Sequence, residues 1–137
     1  MSVVLIDTGP LVALMSPKDQ YHEKACALAK TVVSPFFTTW PVITEALWLL
    51  RSSSTARSSL FHAFNVGILE LTDLDQKDLQ WIGAFMKKYK QIKVQCADAS
   101  LCCLAEKSPN VRVFTFDYRD FLLFRIRGNK QVRLLED

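Results

Sequence analysis

The stretch VVLIDTGPLVALM, Val3 to Met15, decides the class of fold. VVLI (Val3–Ile6) is short, β-branched and wholly apolar, which reads as a strand buried on both faces. DTGP then supplies a cap-like Asp7, a permissive Gly9 and a Pro10 suited to a helix's first turn, ahead of the helical run LVALM. A buried strand feeding directly into a helix is the repeating unit of an α/β sheet. Asp7 stands at the tip of that strand. The far end of the chain repeats the arrangement, because VRVFTF (Val111–Phe116) is again built for burial and stops on Asp117, with Asp120 one helical turn later.

Between these ends, strands and helices alternate. Pro17 closes the first helix, and Tyr21 to Val33 reads as a second, with Cys26, Leu28, Ala29 and Val32 or Val33 inward. FFTT (Phe36–Thr39) is a strand, and Pro41 opens a helix through VITEALWLL that carries Glu45. SSSTARSS reads as a well-capped turn into ARSSLFHAF, which Gly67 ends. ILEL (Ile68–Leu71) is a third strand. Asp75 caps a helix with Leu79, Ile82, Phe85 and Met86 inward, and Cys96 to Lys107 forms another helix with Asp98 near its start. QVRLL (Gln131–Leu135) completes an expected five strands. The reading is one α/β domain over residues 1–137 with a largely parallel sheet.

At 137 residues, half of them hydrophobic, the chain is long enough to bury a core and too apolar for disorder. No apolar run approaches the ~20 residues of a membrane helix, and a strand beginning at Val3 leaves no room for a leader. Ser2 replaces the glycine that myristoylation requires. A cytoplasmic protein without membrane attachment is expected. Cys26, Cys96, Cys102 and Cys103 form no C-x-x-C pair and read as reduced core thiols. The net charge of +3 arises after residue 50, with KKYKQIK (Lys87–Lys93) and FRIRGNKQVR (Phe124–Arg133) as basic stretches. The lysines of the first precede Asp98, so they either hold phosphates beside a site or form a solvated helix end.

Ligands of open α/β sheets bind beyond the carboxyl ends of the strands. Asp7 and Asp117 lie at such ends, and Glu45 and Asp98 lie in early turns of helices that begin at the same edge. Singly, each has an ordinary explanation as a turn or helix cap. Together on one rim, four mutually repelling carboxylates suit Mg²⁺ or Mn²⁺, which are held by a few carboxylates plus water. Such ions generate a hydroxide-like nucleophile and neutralise charge on a phosphodiester.

The segments VVLIDTGPLVAL, TTWPVITEALWLL, CADASLCCLAEK and VFTFDYRDF, in this order, resemble the PIN-domain nucleases, particularly VapC-type toxins of bacterial toxin–antitoxin pairs. The similarity runs almost end to end. It implies a PIN-like three-layer α/β/α sandwich and metal-dependent endoribonuclease activity. It also implies that Asp7, Glu45, Asp98 and Asp117 are the metal-binding and catalytic acids. Thr115 matches the hydroxyl residue of the family's T-x-D motif, where it orients a ligand or water. Phe121 matches the aromatic that follows and reads as packing. The basic, glycine-poor KKYKQIKVQC before Asp98 departs from the family pattern. The resemblance further implies an RNA substrate, a cognate antitoxin that places a basic side chain among the acids, and a homodimer.

Other chemistries fit less well. A haloacid-dehalogenase phosphatase needs a second acid where Gly9 stands, and a receiver domain needs an acidic pair near the first strand. A hydrolase elbow G-x-S-x-G is absent, and the two histidines suit none of these roles. His22 lies in polar DQYHEK and reads as solvated, while His62 reads as a helix-surface or core residue. A PIN-like binding module without cleavage is the alternative. Trp48, Leu49, Phe61 and Phe64 read mostly as core, and any left exposed would form a groove for a partner's amphipathic helix.

Overall fold

Four apolar strands, paired in parallel, set the architecture. β1 (Val3–Ile6) runs between β2 (Phe36–Thr38) and β4 (Val111–Phe114), and β3 (Leu69–Leu71) lies outside β2, giving the order β3-β2-β1-β4. Val3 to Ile6 stand opposite Val111 to Phe114, and Leu5 stands opposite Phe37. Successive strand residues face opposite sides of a sheet. Val4, Leu5 and Ile6 are all buried, as are Val113 and Phe114, so helices cover both faces. The computed structural model describes residues 3–33 and 35–136. The expected domain of residues 1–137 therefore includes Met1, Ser2, Ser34 and Asp137, which lie outside the described residues.

The helices are α1 (Thr8–Met15), α2 (His22–Ala29), α3 (Trp40–Leu49), α4 (Ser54–Asn65), α5 (Gln76–Lys88), α6 (Cys96–Lys107) and the single turn α7 (Tyr118–Phe121). Local sequence explains their ends. The Ser53 side chain caps α4 by accepting from the Ala56 amide, and Gly67 closes it with a left-handed φ of 80°. Asp75 and Asp78 form a reciprocal capping box at α5. Phe85, Tyr89 and Phe121 each pack at an angle against Phe124, with ring centroids about 5 Å apart. Phe121 is fully buried there, in the packing role expected of it.

The sheet has four strands rather than five. Lys130–Gln131 (β6) pairs antiparallel with Arg125–Ile126 (β5) in a separate hairpin. The residues that follow meet β4 through one parallel bridge, Val113 opposite Leu134. Val132 and Leu135 on either side of that bridge are buried.

Several side chains turn the other way from expectation. Leu79 is exposed because the inward stripe of α5 runs through Asp78, Ile82 and Phe85, with Asp78 ion-paired to Lys107 at 2.5 Å. Trp48, Leu49 and Phe61 are exposed, since Ile43, Ala46, Leu60 and Ala63 take the inner positions of α3 and α4. Val33 lies beyond the end of α2 and is exposed, and so is Cys96. His22 is half-buried and its Nδ1 donates to the Ala13 carbonyl at 2.7 Å, so it is not a freely solvated side chain.

Candidate active site

The ends of β1 and β4 are bound together. The Asp7 amide donates to the Phe114 carbonyl at 2.9 Å, so the two strands deliver their following residues to one place. Thr115 is completely buried, and its hydroxyl donates to Asp7 Oδ2 at 2.8 Å. The same hydroxyl oxygen accepts the Asp117 amide at 3.0 Å. One residue after Asp7, Thr8 donates to Glu45 Oε1 at 2.6 Å. Two threonines thus tie Asp117, Asp7 and Glu45 into one network.

Asp98 arrives from the first turn of α6. Its Oδ2 accepts the Gln95 amide at 3.3 Å, and α6 is fastened to the residue that caps α3 by a buried hydroxyl pair. Thr39 and Ser100 stand 2.7 Å apart, and Ser100 donates to the Ala97 carbonyl, so Thr39 is the donor of the pair.

The electrostatics place these four acids in one field. Burial, followed by the charges of Glu45 and Asp117, raises the Asp7 carboxyl to about 6 against the downward pull of Thr115. Burial and then the charges of Asp7, Asp117 and Glu45 raise Asp98 to about 7. Asp117 is raised too, mainly by burial and then by Asp120. The only ion pair among the described residues, Lys107–Asp78, involves none of the four. The sequence-predicted residues Asp7, Glu45, Asp98, Thr115 and Asp117 are therefore brought to one rim.

Two of the capping explanations describe real contacts. Asp98 caps the start of α6, and the Asp117 side chain accepts the Asp120 amide at 3.4 Å. Neither contact satisfies the acid, since both carboxyls remain raised. Asp7 occupies the cap position of α1 yet makes no side-chain cap bond, and Glu45 lies outside the first turn of α3.

The donor set is carboxylate oxygen throughout, with a clustered negative charge that no ion pair among the described residues neutralises, which is the chemistry that Mg²⁺ or Mn²⁺ satisfies. Among the described residues, no three of these groups close around a single point. The acids feel one another across the rim without forming a finished cage. A cavity of about 520 Å³ opens beside Glu45, walled by Trp40, Trp48, Gln95 and Cys96. The sequence singled out neither Thr8, Thr39 and Ser100 nor Trp40, whereas Trp48 entered as a core or partner-groove residue. For Thr8, its position between Asp7 and a turn glycine was the one available signal.

No protein-family model matches the chain, and no curated protein does. Solved structures match its fold. Mycobacterium tuberculosis VapC20, a toxin that cleaves the sarcin–ricin loop, superimposes with a TM-score of 0.72 at 16% identity over 95% of this chain and 98% of that one. VapBC2 from Rickettsia felis, bound to a DNA fragment from its promoter, matches at 0.64 and 16% identity over 98% and 99%. DNA-bound VapBC from Salmonella typhimurium matches at 0.60 and 17% identity over 98% and 97%. The chain has the PIN-like α/β fold of these toxins.

Proposed function

We propose that the chain is a metal-dependent endoribonuclease, the toxin of a VapBC-type toxin–antitoxin pair. The observation that carries this reading is the convergence of Asp7, Glu45, Asp98 and Asp117 on one rim, each unpaired by a cation. The fold shared with an RNA-cleaving toxin and with two toxin–antitoxin complexes supports it.

Asp7, Glu45, Asp98 and Asp117 would hold Mg²⁺ or Mn²⁺, which when bound neutralises charge on the phosphodiester and lowers the pKa of an attacking water. The chain's own part is positioning. Thr115 fixes which oxygen of Asp7 faces the rim, and Thr8 does the same for Glu45. Fixed acceptors of this kind need no reorganisation when substrate binds. Trp40 and Trp48, both exposed beside Glu45, offer faces on which unpaired bases can stack.

The partner reading follows the same logic. A cognate antitoxin would cover the apolar cavity of about 190 Å³ formed by Trp40, Ile43, Phe61, Phe64 and Leu71, and would bring a basic side chain to the acids. A homodimer belongs to the reading as well, and sedimentation of the purified chain tests it.

The deciding experiment incubates purified protein with total RNA, with and without Mg²⁺ or Mn²⁺. Cleavage that appears with metal and stops with chelator is expected. Binding without cleavage under every metal condition would instead leave a PIN-like RNA-binding module.

A further inference from the structure

The basic stretch Phe124–Arg133 takes no part in the acidic rim. It folds as the hairpin of β5 and β6, turned by Gly128 and Asn129, both left-handed with φ of 71° and 58°. Its four cations, Arg125, Arg127, Lys130 and Arg133, come with no acid; without them the formal charge would fall from +3 to 3 − 4 = −1. The chain has one other such run of four cations without an acid, Lys87–Lys93.

Two cavities, of about 330 and 270 Å³, open along the hairpin, and Ile126 and Arg127 line both, so that they adjoin at these two residues. Trp81 and Lys88 wall one end, and Lys130 and Arg133 wall the other. Trp81 is half-buried and stacks on Phe85, centroids 5.0 Å apart at 18°, which makes a flat and fixed wall. Arg125 is held by Nη1 bonds to the carbonyls of Leu122 and Phe124 at 2.8 and 3.0 Å. The carboxylate in the wall, Glu106, already accepts the Arg127 amide at 2.6 Å. Val111, at the opposite end of β4 from Asp117, lines the groove, and the six residue steps between them span at most about 20 Å.

We propose that this groove is an accessory site for single-stranded RNA, with phosphates held by Arg127, Lys130 and Arg133 and a base stacked at Trp81. Proteins that grip single strands combine a basic track with aromatic stacking faces, and both line these two adjoining cavities. The inference rests on the RNA reading above. It assigns Lys88 to this groove and not to the acids. A grip at the opposite end of β4 from the acidic rim strengthens the hold on long RNA and leaves a dinucleotide untouched.

The test uses the full chain carrying Asp117→Asn and a fluorescent single-stranded oligoribonucleotide of about 12 nucleotides, titrated at several salt concentrations. Arg127→Ala with Arg133→Ala should weaken binding for every sequence and reduce the salt slope by roughly 1.4. Trp81→Ala should weaken binding roughly 5- to 150-fold with the slope unchanged. Because Trp81 packs on Phe85, the exposed charge pair carries the test even where Trp81→Ala melts early. In the chain with Asp117 intact, the charge pair should raise KM for long RNA and leave dinucleotide cleavage as it was. Unchanged affinity and slope in the charge pair would overturn the groove while RNA cleavage stands. Equal losses for heparin and RNA, with Trp81→Ala silent, would also overturn it, leaving a general polyanion surface. A parent protein that neither binds nor cleaves RNA would remove groove and function together.

Discussion

Thr115 donates a hydrogen bond to Asp7 across 108 positions of sequence, at 2.8 Å and wholly out of water. The bond exists because β1 and β4 are parallel neighbours that end level with each other. The hydroxyl has one proton, so giving it to Asp7 leaves its oxygen to receive the Asp117 amide. One side chain therefore sets the relative placement of two acids from opposite ends of the chain.

Replacing Thr115 by Val should expose that dependence. Removing the bond takes away the largest influence holding the Asp7 carboxyl down, so its pKa rises above about 6. The acid limb of the cleavage profile should move to higher pH, and stability should fall by ~1–3 kcal/mol because a buried carboxyl loses its partner. Thr115→Ser keeps the hydroxyl and should restore the acid limb. A profile that Thr115→Val leaves in place would confine Thr115 to packing.

The metal-free protein should grow less stable as pH rises. Asp7 and Asp98 hold their protons to about 6 and about 7 in the folded chain, against 3.8 when unfolded. The folded state therefore binds more protons across that window, and stability falls through it, by on the order of a few kcal/mol. Asp98→Asn removes one of the crowded charges while leaving an oxygen for the Gln95 amide. In chelator it should melt above the parent at pH 8 and level with it at pH 4, as read by thermal unfolding. A parent whose stability climbs from pH 5 to 8 would show that the carboxylates are satisfied elsewhere.

Much of this was legible beforehand, for physical reasons particular to each element. Fully apolar VVLI and largely apolar VRVF announce doubly covered strands, and an acid at the tip of such a run has few places to go but the sheet edge. Gly67 and Ser53 declare their caps because left-handed backbone and orphan amides demand those residue types. The end of the chain was less legible, since QVRLL offers a strand's composition while only one parallel bridge, Val113 to Leu134, forms there. Trp48 and Phe61 misled because large aromatics suggest burial, while Ala46 and Ala63 nearby fill the close helix contacts. The Thr8–Glu45 bond joins residues 37 apart, and no local pattern reports it.

Thr8 should matter through Glu45. Thr8→Val keeps the buried volume and removes the donor, leaving Glu45 free to turn away from the rim. Residues that orient a ligating side chain typically cost 10- to 100-fold when lost. Cleavage should drop by about that factor in Thr8→Val and return in Thr8→Ser, with both variants folding normally by circular dichroism. Equal activity in all three proteins would mean that Glu45 needs no orientation or takes no part.

The metal reading has a consequence for stability that needs no RNA. Crowded carboxylates oppose folding when bare, and a cation bound only to the folded chain reverses that opposition. The parent should gain roughly 2.7 kcal/mol at a hundred times the dissociation constant of Mg²⁺ or Mn²⁺. Asp7→Asn and Asp117→Asn should start more stable without metal and gain much less from it, so their melting curves approach or cross that of the parent as metal is added. The pure capping alternative makes the opposite forecast. Asn caps as well as Asp does, so under that alternative these substitutions are nearly neutral and metal shifts no melting curve. Parallel, metal-insensitive melting in every variant would therefore reduce Asp7 and Asp117 to turn residues, and the cleavage mechanism would lose its site.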